Sequence, residues 1–368
     1  MAVLKDEQTM LRDMARDWAR DESPVTAFRK MRDSRPGEGF DPAAWAQVAE
    51  MGWAGVIIPE AYGGSEFGFL SLGLVIEELG KTLAATPLVS NAMAASALIL
   101  GGDEGQQGQW LPKLADGSCV GTVAVDEGPR HNPTNIEARA DKDVDGYKIT
   151  GTKAFVAEGD SAGLFVVAAN SDEGVQLFLV AGDDAGVSRS KRLMADSRSH
   201  AEIRFEGAKA TRLGGKLSGE ALLEAVLDRG RILLSAEMLG MSIGAFETTL
   251  EYMKVRVQFG QTIGSFQALQ HRAAELFTQI ELARSAVEGA LESVDANRVD
   301  VDQMASLAKA IASDIVHWMS REMIQLHGGI GMTDEHDAGF YIKRARVLEN
   351  ELGNGAFHRE RFARLNGY

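Results

Sequence analysis

Cysteine is almost absent from this chain: Cys119 is the one thiol in 368 residues. That excludes an intramolecular disulfide and a cysteine-built zinc site. With Gly-Ser before it and Val-Gly-Thr-Val after it, Cys119 reads as a small packed side chain at the start of a strand. Proline is scarce, at eight residues, and there is no low-complexity tract, so linkers are expected to be short. Basic charge is in deficit, with 38 Lys and Arg against 53 Asp and Glu and a formal net charge of −15. No basic stripe is available to displace counterions from a nucleic acid, so a nucleic-acid partner is not expected. An anionic small molecule would need a local basic pocket, for which Lys209, Arg212 and Lys216 are the candidates. Long apolar runs are missing too. The most apolar stretch, Pro87 to Gly102, is short and contains Ser and Asn, and does not make a membrane span. The opening MAVLKDEQTM is acidic where a signal peptide needs a basic and then an apolar segment, so a cytoplasmic protein is expected.

What is present is apolar content of 45% with 25% charged residues, enough to build a large core and two or three domains. From Asp6 to Asp21, apolar residues at Met10, Leu11, Met14 and Trp18 fall on one helical face. Helices are expected again over Asp41–Met51, Leu70–Thr82, Ser90–Leu100 and Glu104–Ala115, with Asp41 as N-cap and Pro42 in the first turn. After Cys119 the pattern shortens to β-branched and aromatic runs between Gly, Asp and Asn. Val123–Val125, Tyr147–Thr150, Lys153–Val156, Leu164–Ala168, Val175–Val180 and Glu202–Phe205 are the predicted strands of a small antiparallel domain. Beyond Gly214–Gly215 come four long periodic segments near Glu220–Gln258, Gln267–Val294, Asp300–Leu326 and Asp337–Leu352, which predict an antiparallel bundle. The fold class is α+β and multidomain: an N-terminal helical domain over 1–118, a middle β domain over 119–213 and a C-terminal four-helix bundle over 214–368.

Two stretches interrupt the helical sequence with glycines, an arginine and amides: Arg256-Val-Gln-Phe259-Gly260-Gln-Thr-Ile-Gly264-Ser-Phe266-Gln267, and Gln325-Leu-His-Gly328-Gly329-Ile-Gly331. Taken singly, glycines between helices are C-caps and turns. Together with Arg, Phe and Gln at fixed offsets they suit a flat, phosphate-bearing ligand, because Arg grips pyrophosphate bidentately and glycine lets backbone N–H groups come close.

Read together, RVQFGQTIGSFQALQH and QLHGGIGMTDEHDAGFYIKRARV resemble the C-terminal domain of the acyl-CoA dehydrogenase flavoproteins, of the bacterial type. The resemblance extends to Ile58-Pro59-Glu60-Ala-Tyr62-Gly63-Gly64, to Val75-Ile-Glu-Glu-Leu and to Ile149-Thr-Gly-Thr-Lys-Ala-Phe155, and so covers almost the whole chain. It implies FAD as cofactor, oxidation of an acyl-CoA thioester to the 2-enoyl-CoA, and an electron-transfer flavoprotein as acceptor. By position it implies that Arg256, Phe259 and Gln267, with Gln325, Gly328 and Gly329, contact FAD across a subunit interface. A homo- or hetero-oligomer, a dimer or tetramer, is therefore expected. Phe155 falls where an aromatic covers the flavin, and Asp228 and Arg231 fall where the long helix meets the thioester and its CoA arm.

The chain departs from the family at the site of proton removal. The usual catalytic glutamate matches Leu352, and the alternative position, directly before the arginine of the long helix, is Gly230. The Glu-Pro-x-x-Gly-Ser-Asp-like stretch along the flavin is represented by Glu127-Gly128-Pro129-Arg130-His131-Asn132-Pro133-Thr134, and the Trp-Ile-Thr run by Phe155-Val156-Ala157, without the hydroxyl. Positions 230, 234, 237 and 241 share a helical face, on which Glu237 is the one acid among Leu233, Leu234, Met238, Leu239 and Met241. Such a setting is expected to raise a carboxyl pKa, as a base for a weakly acidic proton needs, unless Glu237 pairs with a buried arginine. It lies roughly 10 Å along the axis from position 230, which calls for a differently seated or bulkier acyl group. Glu351, one residue before Leu352, is the second candidate base. His131, His327 and His336 lack metal spacing, no metal site is expected, and His327 reads as packing beside the glycines. Two readings follow: an enzyme acting on an unusual, branched or ring-bearing acyl-CoA of the lipid or steroid side-chain kind, or a non-catalytic subunit that completes a flavin site on a homologous partner.

Overall fold

The structure, a computed structural model, describes residues 3–34, 39–144 and 146–368. Six helices come first: α1 (Asp6–Asp21), α2 (Val25–Ser34), α3 (Pro42–Glu50), α4 (Gly68–Lys81), α5 (Leu88–Gly101) and α6 (Glu104–Ala115). The strands β1 (Gly121–Ala124), β2 (Arg139–Asp143), β3 (Gly146–Ala157), β4 (Leu164–Ser171), β5 (Gly174–Ala181), β6 (Val187–Leu193) and β7 (Ser199–Arg212) follow. Then come α7 (Gly219–Val255), the short strands β8 (Val257–Gln258) and β9 (Gln261–Thr262), α8 (Gln267–Asp295), α9 (Val301–His327), α10 (Ala338–Asn350) and α11 (Gly355–Leu365). The order helical, β, helical is the acyl-CoA dehydrogenase-like order expected. Local chemistry sets several boundaries. Asp41 accepts from Ala43 N at 2.9 Å to start α3, and Asp103 and Gln106 cap α6 reciprocally.

Six elements escaped the sequence pattern: α2, α11, β2, β6, β8 and β9, with α7 ending at Val255 so that β8 takes the end of the helix expected to Gln258. The strands β2 and β6 are charged and mostly exposed, RADKD and VSRSKRL, so neither carries an apolar alternation, and their pairing with β3 and β7 defines them instead. Two predicted strands, Tyr147–Thr150 and Lys153–Val156, are parts of one strand, β3.

By internal contacts the chain divides into two compact units. One comprises Lys30–Leu72 and Ala85–Gly230, the other Met1–Arg29, Gly73–Ala84 and Arg231–Tyr368. In the first, the sheet runs β1-β4-β2-β3-β7-β5, and β5 also pairs β4, so the pairings close on themselves. The sheet is antiparallel except where β4 meets β1 and, at Arg139 and Asn170, β2. Phe165, Phe178, Phe205, Ile149 and Ile203 fill its interior, with Phe165 edge-on to Phe205 at 6.0 Å between centroids.

In the second unit α9 packs against α8, α10 and α11. The end of α4 lies against α7 closely enough that a Cβ on Gly240 would sit 1.9 Å from Glu77 O, and one on Gly80 2.6 Å from Glu237 O. Glycine is required at both positions by backbone approach. Buried ion pairs cross the same core: Arg284 donates to Glu77 at 2.8 Å, and Arg344 grips Glu237. Among the described residues no helix is long and apolar enough to cross a membrane.

Candidate active site

The first glycine-bearing motif begins where α7 ends. Arg256 N still donates to Tyr252 O at 2.9 Å, after which β8 and β9 pair as a hairpin. Phe259 (φ +53°) and Gly260 (φ +81°) form its turn, the pair of positive φ values that a two-residue hairpin demands. Phenylalanine in the left-handed region is strained, and here its ring is 92% exposed.

The second motif ends α9. Gly328 takes φ +64° and ψ −139°, a conformation open to glycine, and a Cβ added at Gly328 or Gly329 would meet nothing within 4 Å. The two motifs are brought together although nearly sixty positions separate them. Leu326 packs with Met253 and Ile263, the Tyr252 ring lies 4.3 Å from that of His327, and Tyr252 Oη donates to His327 O at 3.4 Å. His327 bonds Met323 O through Nδ1 at 2.6 Å, and its ring is 4.2 Å from that of His336; burial pushes both imidazoles below their ordinary range. The packing role expected for His327 is the one its contacts describe.

This cluster suits FAD on an observation of its own. Arg256, Gln267 and Gln325 are exposed, and their side chains form no hydrogen bond or ion pair among the described residues. A cation, two amides, an outward aromatic ring and open space at Gly328 and Gly329 suit a flat pyrophosphate-bearing molecule. Among the described residues no group of three metal-ligating side chains occurs.

The β unit is different. Phe155 lies in a bulge of β3 between Lys153, opposite Ile203, and Val156, opposite Ala201. The bulge gives Phe155 a φ of +50° and leaves its ring 45% exposed, as expected of a residue re-aimed outwards. The segment beneath it is engaged by its own neighbours. Ala154 N donates to Asp126 O at 2.7 Å, and the buried Lys153 Nζ donates to Val125 O at 3.0 Å and to Glu127 Oε1 at 2.6 Å. Burial pulls the Lys153 amine below its ordinary range, against the pull of Glu127. Glu127 also accepts from Glu137 N and Ala138 N. Asp126 accepts from Asn132 N and faces His131 Nδ1 at 2.9 Å. Sequence reasoning missed this carboxylate–imidazole pair, because a spacing of five residues in a loop carries no periodic signal.

The candidate bases are not where an unpartnered carboxylate was expected. Glu237 is buried, but Arg344 Nε and Nη2 donate to its two oxygens at 2.9 and 3.0 Å. The apolar face on α7 is completed by an arginine from α10, and this replaces the expectation of an isolated acid. Arg231, expected along a CoA arm, is fully buried; its Nε donates to Leu352 O at 3.4 Å and its guanidinium stands over the Phe357 ring at 5.8 Å. Asp228 is buried as well. Glu351 is half-buried beyond the last turn of α10. Next to it Leu352 takes φ +54° and Gly353 φ +102°. This turn is held by Lys309 Nζ on Leu348 O and Gly353 O, at 2.9 and 3.0 Å, and by His358 Nε2 on Leu352 O at 3.0 Å. Burial brings the Lys309 amine down to about 7, and burial with the nearby Lys309 and Arg231 charges brings His358 down to about 2.

A family model described as acyl-CoA dehydrogenase, C-terminal domain, matches residues 218–365, and one described as acyl-CoA dehydrogenase, N-terminal domain, matches residues 5–118. The chain is 32% identical over 361 residues to the mitochondrial short/branched chain specific acyl-CoA dehydrogenase of Bos taurus, covering 94% of this chain and 82% of that protein. It superposes on a Tcur3481–Tcur3483 steroid ACAD variant with a TM-score of 0.91 at 30% identity, covering 98% of both chains. Against the ChsE4–ChsE5 complex of Mycobacterium tuberculosis the TM-score is 0.91 at 26% identity, with complete coverage of both chains.

Proposed function

Because the chain belongs to the acyl-CoA dehydrogenase family, oxidoreductases that act on CH–CH bonds with FAD as cofactor, we propose that it works as one of two different chains in an assembly that oxidises a branched or ring-bearing acyl-CoA. The observation that carries this reading is the contrast between its two flavin-related surfaces. The outward set of Arg256, Phe259, Gln267, Gln325, Gly328 and Gly329 is exposed, while the inward segment from Asp126 to Asn132 is bonded to its own unit. A chain whose outward set is ready and whose inward set is closed completes a site that a partner builds. Exposed apolar side chains on the same unit, Val257, Phe277, Leu282 and Met332, support an oligomer. The two-chain names of the Tcur3481–Tcur3483 and ChsE4–ChsE5 structures support a hetero-oligomer, and the branched-chain and steroid names among the relatives support the bulky acyl group.

The roles follow from the chemistry. Oxidation removes a proton from the carbon next to the thioester carbonyl and a hydride from the following carbon. FAD, when bound, supplies the hydride acceptor. Arg256 balances phosphate charge, the open backbone at Gly328 and Gly329 leaves room for close approach, and Gln267 and Gln325 fix orientation. With leucine at 352, glycine at 230 and Glu237 engaged by Arg344, the proton acceptor comes from the partner chain. An electron-transfer flavoprotein is the proposed electron acceptor. The proposed domain boundaries are 1–118, 119–213 and 214–368.

A second reading keeps the reaction on this chain, in a homo-oligomer with Glu351 as base; the half-buried place of Glu351 beside Leu352 favours it. Visible absorbance separates the two. The chain expressed alone is expected to purify without stoichiometric flavin and to gain it on coexpression with a homologous partner. Stoichiometric FAD and acyl-CoA oxidation by the lone chain, lost on Glu351→Gln, would replace the first reading with the second.

A further inference from the structure

A cleft of about 420 Å³ opens in the β unit between α6 and the strands beside it, and neither Phe155 nor any residue of Asp126–Asn132 lines it. Gln109 and Trp110 line it from α6, Tyr147 from β3, and Lys209 and Thr211 from β7, with Asp143 and Asp184 at its margin. The two carboxylates are already engaged. Lys148 bonds Asp143 at 3.0 Å and holds its carboxyl below the usual range, and Asp184 accepts from Gly186 N at 2.8 Å. Gln106, also in the lining, is engaged as well, accepting from Asp103 N and Gly214 N. The Lys209 ammonium, Thr211 hydroxyl, Tyr147 hydroxyl, Trp110 indole N–H and Gln109 amide make no hydrogen bond among the described residues. All five of these groups can donate, and one of them is a cation. The Tyr147 ring is fixed edge-on against Phe178 at 5.0 Å, and Lys113 stands 5.2 Å over Trp110.

A concave site with donors that make no hydrogen bond among the described residues, an exposed ammonium whose charge also acts on Asp143, and two aromatic rings is complementary to a planar ring that carries an anionic group. We propose that this cleft binds such a molecule, of the nucleoside monophosphate class, with the ring on Trp110 and the anionic group on Lys209 and Thr211. Its volume lies within the range of small-molecule sites. Lys209 stood out in the sequence as a candidate for a basic pocket, and Arg212, three residues on, is directed elsewhere, onto Glu173.

Calorimetric titration of the full chain with AMP tests the proposal, with adenosine and inorganic phosphate as separate arms and a repeat at saturating CoA. The expected result is saturable binding of one AMP per chain that survives saturating CoA. Lys209→Gln should weaken it by about 10- to 100-fold, the loss of one charge-assisted hydrogen bond, and Trp110→Leu by about 5-fold or more, the loss of stacking. Adenosine alone binding as well as AMP would remove the anion subsite, and phosphate alone binding as well would remove the ring subsite; either result overturns the assignment. No binding up to about 10 mM AMP, or complete displacement by CoA, also overturns it. Lys209 and Thr211 are exposed, so Lys209→Gln and Thr211→Val are expected to melt like the parent chain, and unaltered AMP affinity in both would refute the site.

Discussion

Replacing Arg344 by Met separates a structural from a catalytic role for Glu237. Glu237 and Arg344 are 8% and 6% exposed and are joined by two hydrogen bonds of 2.9 and 3.0 Å. Removing one partner of such a pair leaves a buried charge uncompensated, which costs about 3–5 kcal/mol. For a cooperative unit of this size that corresponds to a fall in melting temperature of about 6–20 °C. Replacing both partners, as Glu237→Leu with Arg344→Met, removes both desolvation costs and should return stability to within about 1 kcal/mol of the parent. Thermal melts of the two single variants and the double variant form a cycle from which the coupling is read directly. Glu237→Gln keeps an acceptor for Arg344 and should leave turnover of the assembly unchanged. The reasoning fails if Arg344→Met melts like the parent, or if Glu237→Gln abolishes turnover with its melting temperature intact; the second result would restore Glu237 as the base.

Lys309 gives a pH signature. Its amine is held at about 7 in the folded chain against an ordinary 10.5, so between these values the unfolded chain binds more protons and stability should rise with pH, by up to about 1.4 kcal/mol per unit. Urea titrations from pH 7 to 10 should show this slope reduced in Lys309→Met, and an equal slope would refute the burial argument. His358, held at about 2 against an ordinary 6.5, should make the chain lose stability as pH falls below about 6.5, and His358→Gln should weaken that loss in acid melts. Arg256→Gln, at an exposed site, should leave the melting temperature unchanged yet weaken flavin retention in the coexpressed assembly by about 10- to 100-fold, measured by dialysis against flavin-free buffer. Gly240→Ala places a Cβ 1.9 Å from Glu77 O and should destabilise by about 1–3 kcal/mol or more, read by denaturant midpoint.

Much of the fold was legible because period and punctuation are local. The 3.6-residue spacing of Met10, Leu11, Met14 and Trp18 made α1 visible, and Asp41-Pro42 marked the start of α3. The strands β4 and β5 were legible as continuous buried apolar runs, whereas β2 and β6 have no such pattern and exist because β3 and β7 offer them a ladder. Within the site, residue type alone singled out the two glycine-bearing motifs as candidates. It did not reveal their meeting through Leu326, Met253, Ile263 and the Tyr252–His327 stack.

What the sequence determined by itself is the family, the order of helical and β segments, and the absence of a carboxylate at positions 230 and 352. Each is a property of residue identity at a position, and no contact is needed to establish it. What the tertiary structure decided is which polar groups are engaged. Glu237 reads as an isolated acid along α7 until Arg344 of α10, 107 residues away, closes on it. Glu127, which opens the stretch matched to the flavin side, reads as a ligand-facing acid until Lys153 of β3 bonds it. Pairing of buried charges is set by distances across a core, and a linear pattern carries periodicity along one element but not the identity of the side chain that packs against it from another.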